Sequence, residues 1–201
     1  MKKYLGKIIA AVIVLGLIIW GVFYWVNNHN NSSEFASSNK KNSEAQTLIA
    51  KDLENFYPST PSAVVELWAR INKCWYNQTI SENELDALIA QMRLLMDPEF
   101  LNINPLDEYR ETLVSEIKDY QKNKRLLVLY KVQKQSQTEY FSAGATEHHE
   151  AANYASVICY LMVQEKNSDV TYSYQKFLLR EDGNSHWLIV GWEKTDPVDI
   201  D

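Results

Sequence analysis

Residues Ile8 to Val26 read IIAAVIVLGLIIWGVFYWV, 19 positions without a charge. No other stretch constrains the fold so strongly. A helix of that length rises roughly 28 Å at 1.5 Å per residue, about the hydrocarbon thickness of a bilayer. Lys2, Lys3 and Lys7 precede the run, and no Lys or Arg follows until Lys40. The excess of positive charge on the N-terminal flank predicts a cytoplasmic tail, residues 1–7, and an exported remainder. Trp20, Tyr24 and Trp25 crowd the far end, where amphipathic rings favour the interface. A cleaved signal peptide is the competing reading. Against it, the run is long for a signal core and ends in Phe23-Tyr24-Trp25-Val26-Asn27, with no small-x-small cleavage site. No cysteine follows closely enough to take a lipid. Gly16 and Gly21 lack GxxxG spacing, so the helix carries no dimerisation signal. The expectation is one membrane-spanning helix, Ile8–Val26, holding the C-terminal domain outside the cell membrane.

Residues 27–43, NNHNNSSEFASSNKKNS, are polar and of low complexity. They predict a flexible linker, with a reach of roughly 50 Å when extended. The exported part then occupies residues 44–201. The three N-terminal lysines leave 17 basic and 26 acidic residues for everything after the hydrophobic run. So acidic a surface is a poor holder of nucleic acid, which needs basic patches to displace counterions. It serves solubility first.

Two periodicities divide the domain. Glu44 to Asn55 suggests a short lead-in helix, with the packed domain proper starting near Tyr57. Thr60 is a candidate N-cap before Pro61, and Val64, Leu67, Trp68, Ile71 and Trp75 recur at helical spacing. Ser81 and Glu84 form a capping box ahead of Leu85, Leu88, Ile89, Met92, Leu95 and Met96, with Asp97-Pro98 as the stop. A third helix starts at Asn104-Pro105, carries Leu106, Tyr109, Leu113, Ile117 and Tyr120, and stops at Asn123. The period then shortens. Strands are predicted over 125–134, 138–142, 153–164, 170–180 and 186–193. Turns fall at 166–169 and at Glu181-Asp182-Gly183-Asn184. Helices first and an antiparallel meander after them indicate an α+β domain with helices on one face of the sheet.

This order, closing on YQKFLLREDGNSHWLIVGWE, resembles the NTF2-like (cystatin-like) superfamily. The resemblance implies a cone of three helices packed on a curved antiparallel sheet. More narrowly, DLENFYPSTPSAVVELWARINKCWYN, ELDALIAQMRLLMDPEFLNINP and GWEKTDP are similar to a bacterial family of single-pass membrane proteins carrying a domain of unknown function, numbered 6715. That resemblance covers roughly residues 51–197 and brings no catalytic residues with it.

Catalytic chemistry is hard to find in the residues. Ketosteroid-isomerase-like members of the superfamily need a carboxylate buried in an apolar stripe. The three stripes here contain none, and Asp86 and Asp119 lie beside theirs, facing solvent. Glu147-His148-His149-Glu150 has ligand types, but neighbours on a strand point to opposite faces, and two converging ligands are too few for zinc. No phosphate-binding loop or nucleophilic triad is present, and no cofactor, metal or catalytic residue is expected. Cys74 and Cys159 match no zinc or redox motif; an exported pair admits a disulfide, and two small buried side chains are the alternative. The aromatic residues are the remaining candidates: Trp68, Trp75, Tyr109, Tyr154, Tyr160, Tyr172, Tyr174, Trp187 and Trp192. They serve as core, as the wall of a pocket, or as a surface for a partner. Tyr172, Tyr174 and Phe177 cannot share one strand face without a bulge. The sequence thus points to a non-catalytic binding or scaffolding module of the cell envelope. Its partners would be the membrane, through Ile8–Val26, and another envelope protein. The alternative is a pocket for a small apolar molecule, of the ligand-binding or isomerase and hydratase type.

Overall fold

The computed structural model describes residues 43–145, 151–166 and 169–200. The tail, the hydrophobic run 8–26, the linker up to residue 42 and the Glu147–Glu150 cluster lie outside them. Among the described residues, no helix is long and apolar enough to cross a membrane.

Helix α1 spans Glu44–Ile49, α2 Pro61–Asn77, α3 Glu82–Arg93, α4 Pro98–Ile103 and α5 Leu106–Lys122. The starts expected from local chemistry are in place. Thr60 Oγ1 accepts from Ala63 N at 3.2 Å, with Pro61 at the first helical position. Ser81 and Glu84 close a reciprocal capping box. Helix α2 buries Val64, Leu67, Trp68, Ile71 and Trp75, and α3 buries Leu85, Leu88, Ile89 and Met92. On α5 only Leu113 and Ile117 are buried, and Leu106 is exposed.

Two expectations are corrected. The packed unit begins before Tyr57: α1 inserts Ala45 and Leu48 into the core, followed by Leu53. Arg70 on α2 reaches Glu44 of α1 at 2.7 Å. Helix α3 stops at Arg93 rather than at Asp97-Pro98. Leu95 and Met96 are fully packed against the sheet, and Asp97 caps a separate helix, α4, by accepting from Glu99 N at 2.9 Å. Asp97, between the helices rather than in a stripe, has no solvent exposure.

The sheet has five antiparallel strands: β1 Leu126–Val132, β2 Glu139–Ala143, β3 Ala152–Gln164, β4 Val170–Glu181 and β5 Trp187–Thr195. β3 is its hub. β4 pairs along its full length, and β5 pairs with β4. On the other side β1 takes the C-terminal half of β3 and β2 the N-terminal half, like one strand broken in the middle. Gln133 bridges the break. Its N–H donates to Ile158 O at 2.9 Å and its Oε1 accepts from Ile158 N at 2.8 Å. The segment after α3 joins the opposite edge, where Met96 makes a parallel bridge to Ile189. Asp97 N donates to Ile189 O at 2.9 Å, and Ile189 N to Leu95 O at 2.8 Å.

Ala155, Val157, Cys159, Phe177, Leu179 and Ile189 turn inward, onto the helices. Alternation therefore turns Tyr154, Tyr160, Tyr172 and Tyr174 outward. Both cysteines are free and buried. Burial pushes the Cys159 thiol up to about 12; burial, helped by Glu44 and Glu84, pushes Cys74 up to about 11. The folded thiols keep their protons while unfolded ones titrate from the ordinary 9.0. Ionisation then favours the unfolded chain, so stability should fall as pH rises from about 9 and level off beyond about 12. A pH series of urea melts checks the sign. In native protein at pH 8 neither thiol should react with a maleimide, and both should react in urea.

Candidate functional site

Helix α2 and the inner face of the sheet meet tightly at one end and part at the other. The aromatic packing marks the boundary. Phe177 meets Trp68 edge-on, ring centres 4.8 Å apart, and stacks with Trp192 at 5.5 Å. Trp192 also stacks with Phe100 of α4 at 5.5 Å. Beyond these rings a cavity of about 640 Å³ opens between α2, α4, α5 and the end of β5. Its wall holds Trp68, Trp75 and Tyr76 from α2, Phe100 from α4, Tyr109 and Tyr120 from α5, and Trp192 from β5. Asn72 and Gln175 add amides, while Glu108, Thr112 and Glu116 line the side given by α5.

A bulge makes this wall. Leu178 pairs with Gly191 and Leu179 with Ile189, so β5 carries Val190 as an extra residue. Ile189 and Trp192 are three apart and would face opposite sides of a regular strand. The bulge restores Trp192 to the inner face, opposite Phe177. A second irregularity at Val128 does the same on β1, bringing Leu127 and Tyr130 to one side.

The tyrosines around Glu116 form a second group. Tyr76 and Tyr120 stack with ring centres 4.2 Å apart. Burial first, then the charge of Glu116, raises the Tyr76 hydroxyl, and the same two causes in the same order raise Tyr120. Burial pushes Tyr109 up to about 12, with Arg93 opposing and Glu116 adding. All three hydroxyls therefore remain protonated near neutral pH. The Trp75 indole N–H is buried with no acceptor in hydrogen-bond geometry.

The nine aromatic candidates divide three ways. Trp68, Trp75, Tyr109 and Trp192 share the cavity wall. Tyr154, Tyr160, Tyr172 and Tyr174 lie on the opposite, outer face of the sheet. There Tyr160 stacks with Tyr172 at 5.9 Å and meets Tyr174 at 5.1 Å, and Phe141 stacks on Tyr154 at 5.6 Å. Trp187 joins neither set. It packs edge-on against Tyr140 at 5.6 Å near the hairpin turn, and its carbonyl accepts from the Tyr57 hydroxyl at 3.1 Å. Tyr172 and Tyr174 point outward and Phe177 inward, with no bulge between them along β3. The sequence reading missed Tyr76, Phe100 and Glu116. The spacing of Glu108, Thr112 and Glu116, four residues apart each time, was the available signal for a polar line beside the α5 stripe. Asp86 and Asp119 face solvent and pair with Arg110 and Arg125 at 2.6 and 2.8 Å.

The buried Asp97 is structural in its contacts. Arg180 Nε and Nη2 donate to its two oxygens at 2.9 Å each, tying α4 to β4 across β5. Among the described residues no group of three or more His, Cys, Asp or Glu could hold a metal. The family model described as Domain of unknown function (DUF6715) matches residues 1–192. No curated protein matches the sequence.

Proposed function

Because the chain belongs to the DUF6715 family, we propose that it is a membrane-anchored, non-catalytic binding module of the bacterial cell envelope, built on an NTF2-like cone. The hydrophobic run 8–26 anchors it, the N-terminus stays in the cytoplasm, and the α+β domain is displayed outside. Three features support the NTF2-like reading: helices that precede the strands, an inner sheet face packed on α2, and a parallel bridge that returns the chain after α3 to the last strand. The observation that carries the binding role is the open end of the cone. A cavity of about 640 Å³ lined by aromatic rings is of ligand size. Its carboxylates, Glu108 and Glu116, are exposed on α5 rather than set in an apolar stripe, where burial would tune a catalytic acid or base.

A second reading has its own observation. The outer sheet face exposes Tyr172 and Leu129 beside Met162 at one end, 58 and 45 % exposed, and Phe141 beside Tyr154 at the other, 47 % exposed, apolar area suited to a protein partner.

Native mass spectrometry on the full chain, released from maltoside micelles, separates the two. A small molecule that leaves on Trp192→Ala substitution supports the cavity. A monomer that is bare in that instrument, yet crosslinks in membranes to one protein through Lys131 or Lys176 on the outer face, supports the surface. A bound molecule that turns over during incubation sinks the non-catalytic reading. Protease added to intact cells should degrade the domain; full protection would place it inside.

A further inference from the structure

The cavity has a charge preference as well as a size. Among the described residues, Glu108 and Glu116 are the only carboxylates in its wall, and no Lys, Arg or His lines it. The surface next to its mouth continues the sign with Glu111, while Asp119 there is paired with Arg125 at 2.8 Å. An anion entering the cavity meets two carboxylates of its own sign and no cation in the wall, while a cation is drawn in. The nearest arginines lie outside the wall: Arg93 sits 5.8 Å from the Tyr109 ring centre and Arg125 5.9 Å from that of Tyr120.

The rest of the wall suits the body of such a cation. Trp, Tyr and Phe rings offer a negative face that attracts ammonium groups, Trp most strongly, and methyl groups on the nitrogen fill apolar space without asking for hydrogen bonds. A bare ammonium is more strongly hydrated and would need acceptors that these rings lack.

We propose that the cavity receives a small organic cation, an alkylated ammonium. The assignment rests on the cavity being the binding site and adds what enters it.

The test is calorimetric titration of the full chain in a maltoside detergent, which has no ammonium group. The probes are choline, tetramethylammonium and the uncharged isostere of choline in which carbon replaces nitrogen. Choline should saturate the protein, with the isostere weaker by about 10-fold. Glu116→Gln lies at an exposed position and should leave the melting temperature unchanged while weakening choline by about 3- to 10-fold. Added salt should weaken binding to the parent protein more than to this variant. Equal binding of choline and the isostere overturns the cation and leaves the cavity as the site. Binding of no probe, together with no response of the cavity residues to a set of uncharged aromatic fragments, overturns both.

Discussion

Asp97→Ala should cost the α+β domain about 4 kcal/mol. Roughly 3 kcal/mol reflects removing one partner of a buried ion pair, and about 1 kcal/mol a lost N-cap. Asp97 has no exposure and accepts two hydrogen bonds from Arg180 at 2.9 Å, besides the one from Glu99 N. Its removal leaves a guanidinium that is 24 % exposed, with Glu99 at 3.3 Å as its remaining carboxylate. That partial access to water keeps the cost at the low end for a buried pair. For a domain of this size the loss corresponds to roughly 8–16 °C in melting temperature. Asp97→Asn keeps a capping oxygen and should lose about half as much. Urea melts of the three proteins check the series. A loss below about 1 kcal/mol for the alanine variant would mean that water, not Arg180, satisfies the site.

Phe177→Ala should be as severe, about 3–5 kcal/mol, by removing a fully buried ring from the centre of the sheet. The ring is more than filler. It touches Trp68 and Trp192 at once, and each aromatic pair is worth about 0.5–1.5 kcal/mol beyond burial. Phe177→Leu restores much of the volume but neither ring contact, so it should recover only part of the loss. The two variants also read out the cavity. With Phe177 gone, Trp192 loses its backing, and tryptophan emission should shift to the red in the folded state before any unfolding. Unchanged emission in the folded alanine variant would show that Phe100 alone positions Trp192.

These two residues also show how far the sequence could be read. Phe177 announces itself, since its spacing from Tyr172 and Tyr174 demands opposite faces. Helix starts were legible for the same reason: Thr60-Pro61 and Ser81-x-x-Glu84 are complete within four residues. Asp97 was not legible in this way. Asp-Pro is a sound local stop, and only a partner 83 residues away makes its carboxylate a buried one. Trp192 is intermediate. Its presence on a strand was clear, but its face depends on one extra residue at Val190, and a bulge has no signature when Val and Gly are both plausible strand residues. Glu116 was within reach: it lies one position off the Ile117 stripe, in line with Glu108 and Thr112. The opposite sides taken by Trp192 and Tyr174 separate the cavity wall from the outer patch, and that separation needed the register of the sheet.

The pairing of the final strand has a consequence for the order of folding. Trp187, Ile189 and Trp192 come last in the described chain, yet they complete surroundings that begin at Trp68, Leu95 and Phe100. As the chain grows from its N-terminus, the helices therefore appear long before the strand that covers their apolar sides. A polypeptide halted before Trp187 would keep Trp68 of α2 partly uncovered and the segment at Leu95 unpaired, prone to chaperone capture or self-association. So large a sequence separation between partners also favours slow closure over rapid local collapse. The domain matures only when its closing hairpin arrives, and its half-made form is the one most exposed to quality control.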